Sequence, residues 1–322
     1  MVLVSIISLV AGIALILLGA DRLTEGAAGL ARRFHVTEMV IGLTVVAFGT
    51  SLPEFMTSFV SLLHGSSDLS IGNIIGSNIF NVLMIVGCTA MFCPIVISRS
   101  TLLKDIPFSL LASLVLTVVC LDTFLNGRGN ENILSRSDGL LMLGFFCVFM
   151  TYTFSISRKG DAGQEESVVQ MPYWKMAVFI VWGIAGLVLG GNLFVKGASD
   201  IALKIGVSET IIGLTLVAAG TSLPELATSI VAARKGQSAM AIGNVIGSCI
   251  FNVFFILGLC ASVIPIPVGD ISYVDLLVML FSVLMLWSFA YTKRTIERWE
   301  GFMMFFCYMA YMAYLVYDTC SA

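Results

Sequence analysis

Twice in this chain a glutamate follows a proline inside an apolar stretch: GTSLPE at residues 49–54, and GTSLPE again at 220–225. A carboxylate at the centre of a membrane helix costs about 2.5–3.5 kcal/mol on insertion scales, so one that is kept normally faces a polar interior and works there. Glu54 and Glu225 are the two acids far from the end of any apolar run. Asp21, Glu38, Asp68, Asp105, Asp122, Asp138 and Glu209 sit at edges or in loops. The competing reading is a glutamate that pairs with a base to hold a bundle together, but no basic residue lies deep in any apolar run to serve as partner. Pro53 and Pro224 each remove a backbone donor, which leaves the carbonyls of Gly49 and Gly220 without a helical partner. On a continuous helix Thr50 and Ser51, four and three residues before Glu54, share its face. Thr221 and Ser222 have the same spacing to Glu225.

The following apolar run repeats the pattern with neutral oxygens. Asn73, Ser77 and Asn81 are spaced by four, and so are Asn244, Ser248 and Asn252. The small-xxx-small pairs Gly72–Gly76 and Gly243–Gly247 let helix backbones approach, yet helix packing does not explain three polar side chains on one line in both copies. Counted along their runs, Glu54, Asn81, Glu225 and Asn252 fall within a turn or so of the helix centres and are expected to meet at one depth. Carboxylate, amide, hydroxyl and backbone oxygens, with no midplane histidine or clustered cysteine, suit hard cations such as Ca²⁺, Na⁺ or Mg²⁺. Mg²⁺ dehydrates reluctantly, so a largely dehydrated site favours Ca²⁺ or Na⁺. Two carboxylates neutralise one divalent ion. A site emptied of it is expected to refill with Na⁺, or with protons on the glutamates, before the protein reorients.

The elements that must hold these residues follow from composition. Hydrophobic residues make up 58% of the chain and charged residues 11%, with a mean hydropathy of +0.99, far from the roughly one-quarter charged residues of a soluble domain. Runs near the about 20 residues needed to cross hydrocarbon fall at 2–20, 38–64, 69–95, 105–122, 138–156, 174–195, 208–234, 240–265, 272–292 and 300–318. The reading is an all-α polytopic membrane protein of ten transmembrane helices. The first run has no basic stretch before it and no small-residue cleavage site after it, so it reads as a span ending at Asp21 and Arg22 rather than a signal peptide. With the N-terminus outside, 13 of the 17 basic residues fall on cytoplasmic loops, which orients both termini outward in a cytoplasmic (inner) membrane. The eight cysteines show no metal-ligand spacing and read as packing residues. A net charge of -3 on short loops offers no basic stripe for nucleic acid, and no obligatory protein partner is evident beside the lipid bilayer.

Residues 41–87 align with 212–258 without a gap, with 29 identities in 47 positions. The matches include IGLT at 41 and 212, and GNIIGSNIFN at 72 against GNVIGSCIFN at 243. An odd number of spans per copy sends the second copy into the membrane in the opposite sense, so the two form inverted-topology five-helix repeats: 1–156 and 174–322, joined by a polar cytoplasmic linker at 157–173. Inverted repeats, with sites near the midplane on interrupted helices, are the plan of many secondary transporters.

At GTSLPE and GN(I/V)IGS(N/C)IFN, present in both halves, the sequence resembles the Ca²⁺/cation antiporter superfamily, in particular its prokaryotic sodium/calcium exchanger branch. The resemblance covers the ten-helix plan. It implies a diamond of spans 2, 3, 7 and 8 around one Ca²⁺ site flanked by Na⁺ sites, with spans 1 and 6 sliding across it. It further implies Glu54 and Glu225 as carboxylate ligands of Ca²⁺, with the carbonyls of Thr50 and Thr221 completing the shell. Ser51, Ser77, Ser222 and Ser248 would serve Na⁺, and Asn81 and Asn252 would line the centre. Several exchangers of this family carry Asp at the position of Asn252, so this site has one acid fewer, which leaves proton coupling open. Cys249, where the first copy has Asn78, receives no role.

The expected function is therefore a secondary antiporter, not an enzyme, that exchanges Ca²⁺ for Na⁺ with no cofactor and extrudes Ca²⁺. The alternative is an H⁺/Ca²⁺ or broader divalent antiporter. A cation channel fits less well because pores usually arise from rings of subunits. An intramembrane hydrolase using Ser51 or Ser77 lacks a base, since His35 and His64 lie at span ends.

Overall fold

The computed structural model describes residues 2–63, 67–121, 132–157, 171–204, 218–269 and 271–321. Several features read from the sequence lie outside them: the start of the run at 208–234 with its IGLT, linker residues 158–170, and His64, Asp122 and Glu209.

Among the described residues the regular structure is helical apart from two short ladders. Helix α1 spans Val2–Phe34. Helix α2 runs Glu38–Ile41, passes through a π-helical turn at Gly42–Val46 and ends with Ala47–Thr50; α3 is Leu52–Leu63. Helix α4 joins Ser67–Ile79, a π turn at Phe80–Ile85 and Val86–Phe92. Helix α5 opens on a π turn at Thr101–Asp105 and continues Ile106–Val119, and α6 is Arg136–Ser157. In the second half α7 is Tyr173–Lys204, α8 is Ala218–Thr221 and α9 is Leu223–Arg234. Helix α10 joins Ser238–Ile250, a π turn at Phe251–Leu257 and Gly258–Val263, followed by α11, Tyr273–Lys293, and α12, Arg298–Ser321.

Among the described residues seven helices are long and apolar enough to cross a membrane, and α2 with α3, bent by 46° at their break, form an eighth. Two of the ten expected spans are not among these eight. One is α8 with α9, whose beginning lies outside the described residues. The other is α12, 24 residues long but carrying Tyr308, Tyr311, Tyr314 and Tyr317, which lower its hydropathy.

The first span does not end at Asp21 and Arg22. Helix α1 continues to Phe34 because its charges are satisfied in place. Arg22 pairs with Glu25 at 3.2 Å, Asp21 with Lys235 of the α9 end at 2.6 Å, and the Thr24 hydroxyl donates back to the Ala20 carbonyl. The sixth span likewise runs on past 195 to Lys204. At 1.5 Å per residue, 33 and 32 residues extend about 50 Å, against roughly 30 Å of hydrocarbon, so α1 and α7 tilt or protrude. They lie against each other: a Cβ on Gly19 would stand 2.8 Å from the Gly183 carbonyl oxygen, and one on Gly183 2.6 Å from the Leu23 nitrogen. Only a residue without a side chain allows that approach.

Helices α4 and α10 form the centre. Their apolar windows are 78% and 83% buried, against 28%, 28% and 22% for α1, α7 and α6, whose Leu3, Leu17, Val181 and Leu140 face outward. The close packing expected at both small-residue pairs is present at Gly243 and Gly247, where a Cβ would stand 2.8 Å from the α2 backbone, at Met39 and Leu43 respectively. Among the described residues it is not present at Gly72, which meets only Ile271 Cδ1 at 3.9 Å, or at Gly76, which meets nothing within 4 Å. Packing crosses between the halves: α12 covers α4, α6 covers α10, α5 lies on α10 and α11 on α4. Two antiparallel ladders do the same, β1 (Ile95–Val96) with β4 (Thr295–Ile296) and β2 (Ile133–Leu134) with β3 (Ile266–Pro267). The main core joins Ile74, Ile79 and Leu83 of α4 to Val253, Phe254 and Met279. A second core seals α1, through Ile16, Ala20, Leu23 and Ala27, to Ala227 and Ala232 of α9.

Candidate cation site

Each GTSLPE stretch forms a break, not a continuous face. Ser51 has φ -84°, ψ 7° and Ser222 φ -94°, ψ 4°, values outside the helical region. Thr50 and Ser51 therefore do not line up beside Glu54 as a continuous helix would require. The breaks instead exchange partners. Ser51 Oγ donates to Glu225 Oε1 at 2.9 Å, and Ser222 Oγ donates to Glu54 Oε1 at 2.7 Å. The first serine serves the second glutamate and the reverse, across 171 residues of offset. Ser222 Oγ also meets Ser77 Oγ of α4 at 3.2 Å.

Glu54 and Glu225 are both fully buried. Among the described residues neither joins an ion pair, and the second oxygen of each, Glu54 Oε2 and Glu225 Oε2, has no hydrogen-bond partner. Burying an unpaired carboxylate costs several kcal/mol, so each carboxyl calls for a positive partner, a bound cation or a proton. Other buried oxygens without a partner include Ser248 Oγ, Asn81 Oδ1 and Asn252 Oδ1. Ser248 lies beside the Glu225 carboxyl but forms no well-shaped hydrogen bond to it. Among the described residues no three His, Cys, Asp or Glu cluster as metal ligands, so a cation here depends on two carboxylates and neutral oxygens. That donor set fits the hard cations expected from residue types.

The π turns place the asparagines. Asn81 and Asn252 are each the second residue of such a turn, at Phe80–Ile85 and Phe251–Leu257; a widened turn of this kind is frequent at functional sites. Sequence spacing alone does not reveal it.

Asn73 and Asn244 belong to the clamp around the breaks. Asn244 Oδ1 accepts from Thr50 Oγ1 at 3.1 Å, while its Nδ2 donates to Ser229 Oγ at 3.0 Å. Asn73 Nδ2 donates to Ser58 Oγ at 3.2 Å. Each amide ties its own central helix to the helix carrying the glutamate of the same half. Asp105, read as an edge acid, is 3% exposed and accepts from Tyr152 Oη at 3.2 Å.

A cavity of about 650 Å³ reaches the breaks from one side, between Leu187, Gly191, Asn192 and Lys196 of α7 and Pro53, Thr221 and Pro224. Thr50, in contrast, is fully buried and its hydroxyl is held by Asn244 of α10.

Membrane-length helices around a buried pair of carboxylates, with neutral oxygens beside them, form the frame of an ion-translocating membrane protein. The chain belongs to the sodium/calcium exchanger family, whose model, described as sodium/calcium exchanger protein, matches residues 4–155 and 175–317. It is 32% identical to the sodium/calcium exchanger MaX1 of Methanosarcina acetivorans, over 95% of this chain and 97% of that protein. It is 36% identical to the inner membrane protein YrbG of Escherichia coli, over 87% of each. A solved structure of the sodium-calcium exchanger NCX_Mj matches it with a TM-score of 0.82 at 33% identity, covering 98% of this chain and 100% of the other.

Proposed function

We propose that this protein is a secondary antiporter that exchanges Ca²⁺ for Na⁺ across the cytoplasmic membrane by alternating access, and that Na⁺ entering down an inward gradient drives Ca²⁺ out. The observation that carries the reading is the crossed pair Ser51–Glu225 and Ser222–Glu54, which sets one oxygen of each carboxylate and leaves the other bare. Two bare carboxylate oxygens from two halves of the chain match the charge of one Ca²⁺, with the Thr50 and Thr221 carbonyls as further ligands. Ser51, Ser77, Ser222 and Ser248 supply Na⁺ positions, and Asn81 and Asn252 line the centre.

The same reading makes the chain two inverted repeats, 1–156 and 174–322, of five spans each, with the 157–173 linker in the cytoplasm and both termini outside. Helix α7 then runs outward from Tyr173, and the cavity beside Asn192 and Lys196 opens to the exterior. A carrier must alternate access to one fixed site; sliding of α1 and α7 across the breaks closes this cavity and opens its counterpart along α1. An empty pair of buried carboxylates is costly, so the return step runs with Na⁺ bound, and this couples the two fluxes.

The test is ⁴⁵Ca²⁺ uptake into proteoliposomes loaded with Na⁺ and diluted into Na⁺-free buffer, beside a set with an imposed pH gradient and no Na⁺. Uptake that requires internal Na⁺ supports the exchanger. Uptake that follows the pH gradient alone replaces it with an H⁺/Ca²⁺ antiporter, and flux that does not saturate replaces it with a channel.

A further inference from the structure

The two halves of the site carry the same glutamates, serines and asparagines, but behind the asparagines they differ. Asn78 of α4, 2% exposed, donates from Nδ2 to the backbone carbonyl of Cys249 on α10 at 3.2 Å. A carbonyl can only accept, so this bond fixes which way the Asn78 amide faces. Its Oδ1 is turned to Asn252 and accepts from Asn252 Nδ2 at 3.1 Å. Asn252 thereby commits its NH₂ to Asn78, and the end left over is Oδ1, buried and without a hydrogen-bond partner. The direction of the relay runs from a backbone carbonyl through two amides and ends in a carbonyl oxygen, which is a hard-cation ligand.

The equivalent path on the other side starts the same way and then fails. Cys249 stands at the position equivalent to Asn78, and its Sγ lies 4.0 Å from the Asn78 carbonyl. The thiol also lies beside the Asn81 amide, but a thiol is a weak donor and a weak acceptor, so it holds the orientation of that amide only weakly. Asn81 is fully buried, and neither its Oδ1 nor its Nδ2 has a hydrogen-bond partner.

We propose that Asn78 is a positioning residue that locks Asn252 as a permanent oxygen ligand for the transported cation, while Cys249 leaves Asn81 free to turn either end of its amide to the site. The inference rests on the exchange reading above and assigns unequal parts to its two asparagines. Asn252 contributes to affinity in every state; Asn81 adapts to the ion present, its oxygen toward a cation and its NH₂ toward a bare carboxylate.

The experiment uses the full-length protein in liposomes and measures ⁴⁵Ca²⁺ uptake against Ca²⁺ concentration, with the Tm of each variant as a check on folding. For Asn78→Cys we expect KM for Ca²⁺ to rise about tenfold, the effect of one oriented hydrogen bond, with kcat within about twofold. Cys249→Asn alone supplies a second relay and leaves KM at or below the wild-type value. The exchanged double variant, N78C with C249N, builds the relay behind Asn81 instead and brings KM back to within about threefold of wild type. A residue that only fills space would not show that rescue. A wild-type KM in Asn78→Cys overturns the proposal, and so does a raised KM that the exchanged variant fails to restore. If Asn78→Cys does not fold, Asn78→Ser and Cys249→Asn are read by the same KM. Saturable wild-type uptake with an unmoved KM defeats the relay alone, whereas a wild-type protein that takes up no Ca²⁺ defeats the exchange reading first.

Discussion

At the scale of single residues the proposed site rests on two carboxyl groups that, among the described residues, no base neutralises. Replacing Glu54 or Glu225 by Gln keeps the shape and an acceptor for the opposite serine but removes one of the two buried charges that would hold the cation. That loss is worth about 3–5 kcal/mol, or more than a hundredfold in cation affinity. We expect Glu54→Gln and Glu225→Gln each to abolish Ca²⁺ uptake while still eluting as a folded species on size exclusion; normal uptake by either one would place the site elsewhere. These two acids were legible from residue type and depth alone, because a mid-span carboxylate is costly wherever it occurs. The partners of each acid were not. Local spacing puts Ser51 with Glu54, whereas the fold puts it with Glu225, a pairing that depends on how two segments 171 residues apart meet. The role of Asn78 was hidden for the same reason, since it sits in α4 and acts on α10.

At the scale of elements the two breaks matter most. Proline denies the Gly49 and Gly220 carbonyls a helical partner, and α2 and α3 turn by 46° at that point. Pro53→Ala returns the missing N–H and lets the segment straighten. The expected result is a Tm raised by a few degrees, as for about 1 kcal/mol regained, with exchange slowed at least about tenfold because Ser51 no longer reaches Glu225. Unchanged exchange in a stabilised Pro53→Ala protein would show that the bend is not used in transport. The breaks were visible in the sequence as prolines. Helix ends were harder: Asp21 and Arg22 look like the edge of a span, yet α1 runs to Phe34 because Lys235 and Glu25 meet those charges. The π turns left no mark, since hydrophobic periodicity does not distinguish one extra residue in a turn.

At the scale of the whole molecule, a cavity along α7 ends at the two breaks, and on the proposed reading it is the exterior path to the site. Lys235 holds α1 through the Asp21 carboxylate at 2.6 Å, the Asp21 carbonyl at 3.0 Å and Thr24 Oγ1 at 3.1 Å, at the rim of the sealed seam. The pair is partly exposed, so it contributes no more than about 1 kcal/mol after screening. Lys235→Met should shift the balance toward the opposite opening by about two- to fivefold, read as faster labelling of a cysteine placed at Ala227 by a cytoplasm-side thiol reagent; labelling that stays at the wild-type rate removes the pair from gating. Orientation has its own test: a cleavable tag at either end of the chain should be cut by protease added outside spheroplasts, and protection of both tags would invert the topology. The ladders β1·β4 and β2·β3 and the crossed covering of α4 by α12 and of α10 by α6 carry one more consequence. Among the described residues both apolar cores draw on both halves. A gene cut between the codons for Ser157 and Met171 should give two fragments that are each degraded when made alone and that rescue one another when made together, so the chain behaves as an obligate heterodimer whose subunits happen to be covalently joined.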